Sequence, residues 1–183
     1  SLTIELSFYI LIAILYYTRA LKKSEITCTV WLFASGILFH FAPMVDSKII
    51  SLLNILLIPQ YCALFIIGMM FYKINTENKA VYHIVILLSI IYEFIFSEFN
   101  TAVAVVLFTA IFYMLILRKL SFLNNKVFVF FGTISYCLYL IHQNIGYKII
   151  KTMESFGLTS EVYILIPITV SIALAAVITY FIE

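Results

Sequence analysis

Apolar residues run along this chain in seven blocks, near residues 2–18, 27–45, 52–72, 81–97, 101–117, 127–150 and 162–182, with short polar connections between them. Each block is close to the ~20 residues an α-helix needs to cross the hydrocarbon of a bilayer. The pattern predicts an all-α fold, a polytopic transmembrane helix bundle of about seven membrane helices. Two of the blocks are less regular. Only Glu98, Phe99 and Asn100 separate the fourth block from the fifth, which fits either a tight hairpin or one longer broken helix. The sixth block is long for a single crossing, which permits tilt or a protruding end. Within the third block, Pro59 with Gln60 and Tyr61 predicts a kink or a cavity lining.

Composition strengthens this reading. The 183 residues are 64% hydrophobic and 11% charged, with a mean hydropathy of +1.13, whereas soluble domains are roughly half apolar and about one-quarter charged. The chain reads as an integral membrane protein, and with no internal repeat or flexible linker residues 1–183 read as a single bundle. Charge then reports orientation, because Lys and Arg are retained on the cytoplasmic side during insertion. Arg19, Lys22, Lys23, Lys73, Lys79, Arg118, Lys119 and Lys126 fall in the first, third and fifth connections, and only Lys48, Lys148 and Lys151 on the opposite side. Residue 1 is therefore expected outside and Glu183 inside. The net charge of +2 is a topology signal, and without a basic patch interleaved with aromatics it does not point to nucleic acid. Cys28, Cys62 and Cys137 lie in apolar blocks without metal-type spacing and read as small packing residues. The chain opens on Ser1 just before an apolar helix, without a signal-peptide pattern, and closes on Glu183 just behind another. The expectation is a fragment of a longer membrane protein.

The candidate chemistry sits in the sixth block. From Gly132, the residues Ser135, Tyr136, Tyr139, His142, Gln143 and Gly146 recur at the i, i+3, i+4, i+7 spacing of one helix face, with Leu138, Leu140 and Ile141 assigned to the other directions. Polar groups in hydrocarbon are costly unless partnered, so such a stripe looks at a cavity or at another helix. A binding pocket and a packing seam of small and hydroxylated residues both fit. Glu5, about one turn inside the first helix and sharing a face with Tyr9 and Ile12, is either interfacial or a buried carboxylate that orients a partner. His142 lies roughly 12 Å from the outer end of its helix. Glu5 enters from the same side, at a depth that packing could match. His40, Pro43 and Asp46 group at the end of the second block, and Gly68 would permit close helix approach. His83 and Glu93 are assigned no role. No nucleophile elbow, phosphate-cradling glycine loop or His-x-x-x-His metal site is present in the sequence.

Three ordered blocks resemble the acyltransferase-3 family of bacterial membrane O-acyltransferases. Ser1-Leu-Thr-Ile-Glu5-Leu-Ser-Phe8-Tyr9 is similar to the family's Trp-Ser-Leu-x-x-Glu-x-x-Phe-Tyr, entered one residue late. Phe65-Ile-Ile-Gly68 resembles its Phe-x-x-Gly segment. Gly132-Thr-Ile-Ser135-Tyr136-Cys-Leu-Tyr139-Leu140-Ile-His142 resembles its Gly-x-x-Ser-Tyr-x-x-Tyr-Leu-x-His motif, the most specific of the three. Phe181-Ile-Glu183 resembles the closing Phe-x-Glu. The resemblance implies the C-terminal part of an enzyme in the bacterial cytoplasmic membrane that moves an acyl group, most often acetyl from acetyl-CoA, to a hydroxyl of an envelope glycan or lipid-linked sugar. Acetyl-CoA would be the donor, with no bound cofactor or metal. Glu5, Tyr9, Ser135, Tyr136, Tyr139, His142 and Gln143 would be pocket or substrate-binding residues. The family's essential histidine and arginine pair belong to helices expected upstream of Ser1, so no catalytic residue is assigned within the chain and the fragment is expected to be inactive alone. The rival reading is a transporter or flippase-like membrane subunit for lipid or glycan, using the stripe as a path.

Overall fold

The computed structural model describes residues 2–44 and 47–181, and among these the chain is helical without a strand. Eight α-helices follow one another: α1 (Leu2–Tyr17), α2 (Ser24–Phe41), α3 (Lys48–Leu57), α4 (Cys62–Glu77), α5 (Ala80–Phe96), α6 (Phe99–Ile116), α7 (Lys126–Ser155) and α8 (Leu165–Phe181). Short 3-10 turns precede α2 and α8. Among the described residues four segments are long and apolar enough to cross a membrane, namely Ala20–Phe41, Lys48–Glu77, Phe99–Ile116 and Glu161–Phe181, while Thr3–Tyr17 and Ala80–Phe96 are apolar but shorter. This is consistent with a membrane protein. Length and hydropathy support four of the seven expected crossings; α7 is long enough, but its polar stripe lowers its apolar character.

The ambiguous 98–100 junction is a hairpin. Ser97 and Glu98 take extended backbone angles between α5 and α6, and the two helices pack side by side. The third block is not one kinked helix but two. Ile58 adopts a left-handed conformation, φ 48°, which ends α3 with its N–H bonded to the Asn54 carbonyl. Pro59 follows, without an N–H to continue the ladder, and α4 restarts at Cys62.

The chain packs as two compact units, Ser1–Lys119 and Leu120–Glu183, where the sequence reads as one bundle. The chain passes from one to the other through a polar connection: Arg118 turns through a left-handed φ of 55°, and Asn125 caps the start of α7 by accepting from the Val127 N–H.

The first unit is centred on α2, α4 and α5. Cys28, Trp31, Leu32, Ser35 and Gly36 form the buried face of α2, at the i, i+3, i+4, i+7, i+8 spacing of an amphipathic helix. Cys62, Ile66, Met70 and Ile74 do the same for α4, and Tyr82, Ile86, Ser89 and Glu93 for α5. α1 joins through Phe8, whose ring stacks on Phe65 at 4.1 Å and 10°. The second unit is the α7–α8 pair, closed around Ile134, Cys137 and Ala175. The three cysteines are all free and buried, in line with their packing role.

Candidate functional site

On α7 the buried seam and the polar stripe are neighbouring faces. Ile134, Cys137 and Ile141 pack toward α8. Beside that seam runs a groove of about 630 Å³, bounded on α7 by Ser135, Leu138, Tyr139, His142 and Gly146, and on α8 by residues including Pro167 and Ser171. Four members of the expected stripe thus share one concavity. Two do not: Tyr136 is 55% exposed and Gln143 is exposed, and neither lines the groove. The helical advance explains this, because residues 136 and 143 are rotated roughly 80–100° from Ser135. Leu138, expected to point elsewhere, is i+3 from Ser135 and takes a groove position.

His142 has a defined hydrogen-bonding arrangement. Its Nδ1 lies 3.0 Å from the Leu138 carbonyl oxygen and 2.8 Å from that of Tyr139. Carbonyls only accept, so Nδ1 carries the hydrogen and donates to both, and the neutral ring keeps its lone pair on Nε2. The ring sits 6.2 Å from that of Tyr139. Ser135 Oγ donates 2.7 Å to the Gly132 carbonyl, which leaves its oxygen lone pairs as acceptors. The groove therefore combines apolar walls with one basic nitrogen and several hydroxyls. Such a surface binds an apolar group and orients a hydroxyl or carbonyl beside it.

Gly132 and Gly146 do not mark a close-packed seam. A Cβ built at either meets nothing within 4 Å, and the same holds for Gly68, so the close approach expected there is absent among the described residues. Gly36 is the tight one. A Cβ there lies 3.2 Å from the Phe96 ring and 3.3 Å from the Tyr92 ring.

Glu5 and Tyr9 are on α1 in the first unit; Glu5 is half-buried and Tyr9 is 64% exposed. Neither lines a first-unit cavity of about 540 Å³, whose polar residues are Thr3, Ser7, Asn54, Gln60 and Tyr61. Pro59, Gln60 and Tyr61 line it at the α3–α4 break, the cavity-lining alternative of the sequence reading. His40 is exposed and packs edge-on against Phe41 at 5.0 Å; Asp46 lies outside the described residues.

Several polar residues gain roles that periodicity alone had not assigned. Trp31 Nε1 donates 2.8 Å to the Leu57 carbonyl, which also receives Ser35 Oγ at 3.5 Å. The Tyr92 hydroxyl donates 2.9 Å to the Pro59 carbonyl, where Cys62 Sγ also lies at 3.4 Å. The break is thus closed by side chains from α2, α4 and α5. His83 Nδ1 meets the Tyr113 hydroxyl at 2.8 Å, with the two rings stacked. Glu93 is 1% exposed, and the 3.6-residue spacing of Ser89 and Glu93 was the available signal.

At the opposite end of α5, Glu77 accepts from Lys73, Lys79 and the Tyr82 hydroxyl. Among the described residues no group of three or more His, Cys, Asp or Glu side chains converges as a metal site would require. Compared with protein-family models, curated proteins and solved structures, the chain matches none.

Proposed function

We propose that this chain is the C-terminal part of a membrane O-acyltransferase, transferring an acyl group, acetyl from acetyl-CoA, to a hydroxyl of an envelope glycan in a bacterial cytoplasmic membrane. The observation that carries the reading is His142. Its Nδ1–H is committed to two backbone carbonyls, so a basic Nε2 remains on a side chain that lines a groove with Ser135, Tyr139 and Ser171. An acceptor hydroxyl bound there can donate to Nε2, and the apolar walls of the groove can hold the acyl group beside it. The motif around Gly132–His142 supports the same assignment by resemblance. In this reading His142 binds and orients the acceptor, Glu5 is a substrate-binding residue on the resemblance alone, and the deprotonating histidine is the one the resemblance assigns upstream of Ser1.

The test uses the full-length protein. Envelope glycans from cells with and without it are compared for ester-linked acetyl groups, and an ester signal that depends on the protein is expected. His142→Ala and Glu5→Gln are each expected to remove that signal while membrane insertion persists. No ester difference between the two cell lines would overturn the activity, and wild-type ester levels in both variants would overturn the site.

A transporter or flippase-like subunit is the second reading, favoured by the broken α3–α4 helix, because interrupted helices in transporters expose backbone groups to cargo. Here the Leu57 and Pro59 carbonyls each already accept from two side chains, so they have no free lone pair for cargo. A glycolipid-flipping assay in proteoliposomes separates the two: flipping without acyl transfer would replace the first reading by the second.

A further inference from the structure

Glu93 belongs to neither reading. It lies one turn from the end of α5, 1% exposed, and its carboxyl makes no ion pair among the described residues. Ser97 Oγ is 2.6 Å from Oε2, while Oε1 is buried and has no hydrogen-bond partner among the described residues. The titratable groups that face it are neutral in their ordinary states: Cys62 from α4 and Tyr92 on its own helix. From α2, His40 lines the α2–α5 groove together with Tyr92 and Phe96. The titratable residue of α6, Tyr113, is engaged by His83 near the start of α5. Lys73 and Lys79, at the opposite end of α5, are committed to Glu77.

A carboxylate in this position would be a buried, uncompensated charge at the negative end of a helix. The same geometry suits a neutral acid. The 2.6 Å contact has the Ser97 hydroxyl donating to an ionised carboxyl; with the proton on Oε2 it reverses, the acid donating to Ser97 Oγ, and Oε1 becomes a bare carbonyl oxygen, a group left under-satisfied more readily than a buried N–H.

We propose that Glu93 is a proton-binding site of the first unit, its carboxyl held as the neutral acid by Ser97 and screened from water by α2, α4 and α5. Such a carboxyl has a distinctive reactivity. A hydrophobic carbodiimide needs the protonated form: the acid oxygen bonds to the central carbon and the proton passes to nitrogen. The acyl group then migrates from oxygen to nitrogen, giving a stable N-acylurea with no leaving group. The proposal does not depend on the acyltransfer reading, and its test does not use acyl transfer.

Membranes carrying the full-length protein are treated with dicyclohexylcarbodiimide at neutral pH and the adduct is mapped by mass spectrometry. The adduct is expected on Glu93, is expected to be lost in Glu93→Gln, and is expected to fall as the medium is made alkaline. A water-soluble carbodiimide with an added amine is expected to modify the exposed Glu98 and to leave Glu93 unmodified. Wild-type mapping alone decides the matter if Glu93→Gln fails to insert. An unlabelled Glu93 at neutral pH, or labelling of Glu93 by the water-soluble reagent to the extent of Glu98, overturns the proposal. Ser97→Ala removes the acceptor and is expected to speed labelling; an unchanged rate overturns the placement of the proton.

Discussion

Trp31 and Leu57, 26 residues apart, are joined by a 2.8 Å hydrogen bond from the indole N–H to the backbone carbonyl. That carbonyl ends α3 where the left-handed Ile58 breaks the ladder, so it has lost its intrahelical donor. In an apolar environment an unpaired carbonyl is expensive. Trp31→Phe leaves it with the longer 3.5 Å contact from Ser35, and a loss of about 1–3 kcal/mol is expected. Thermal unfolding of the purified protein in detergent checks this; a variant within about 0.5 kcal/mol of wild type would mean that the break is stabilised by other contacts.

Tyr92→Phe removes the corresponding donor to Pro59, leaving the weak Cys62 thiol. The two bonds close opposite sides of one break, so the double variant is expected to be non-additive with Trp31→Phe by about 0.5 kcal/mol or more. Strict additivity in a double-mutant cycle would show that the break is not a single cooperative element.

The glycines should divide by position. Gly36→Leu forces a side chain against the Phe96 and Tyr92 rings, already 3.2–3.3 Å from a Cβ, and is expected to cost about 1–3 kcal/mol through overpacking. Gly132→Ala has open space and is expected to be neutral or to stabilise α7 by up to ~1 kcal/mol through helix propensity. Equal effects of the two substitutions on the unfolding midpoint would contradict the packing described.

Ser171→Leu tests the groove without altering His142. Ser171 is buried, 3% exposed, and lies on the α8 wall opposite the stripe. A larger apolar side chain there fills volume a substrate would use. The expected result is at least a tenfold fall in acylation, about 1.4 kcal/mol of lost transition-state binding, with Ser171→Ala close to wild type. Unimpaired acylation in Ser171→Leu would place the substrate elsewhere.

Much of the architecture was legible because burying or lipid-exposing a helix demands long apolar runs, and those runs bound the helices to within a few residues. The break at Pro59 was legible as an irregularity, since a missing N–H is a property of the residue itself. Its closure by Trp31 and Tyr92 was not, because those donors are far away in sequence. The hairpin at Ser97–Glu98 was undecided for a related reason: two residues can continue a helix or reverse it, and packing of α5 on α6 selects reversal. Glu93 has no role assignable from sequence alone, although its spacing from Ser89 places it on the face that packing buries.

By itself the amino-acid sequence determined the helical class, the positions of the apolar segments and the polar stripe from Ser135 to Gly146, because these follow from local periodicity and from the cost of polar groups in hydrocarbon. Only the tertiary structure decided that the chain forms two compact units, and that Leu138 rather than Tyr136 or Gln143 joins the groove. It also decided that Glu93 Oε1 is left without a hydrogen-bond partner among the described residues. Those outcomes depend on which atoms meet across helices and turns, and a hydrogen bond or a cavity is set by distances of a few tenths of an ångström that no linear pattern encodes.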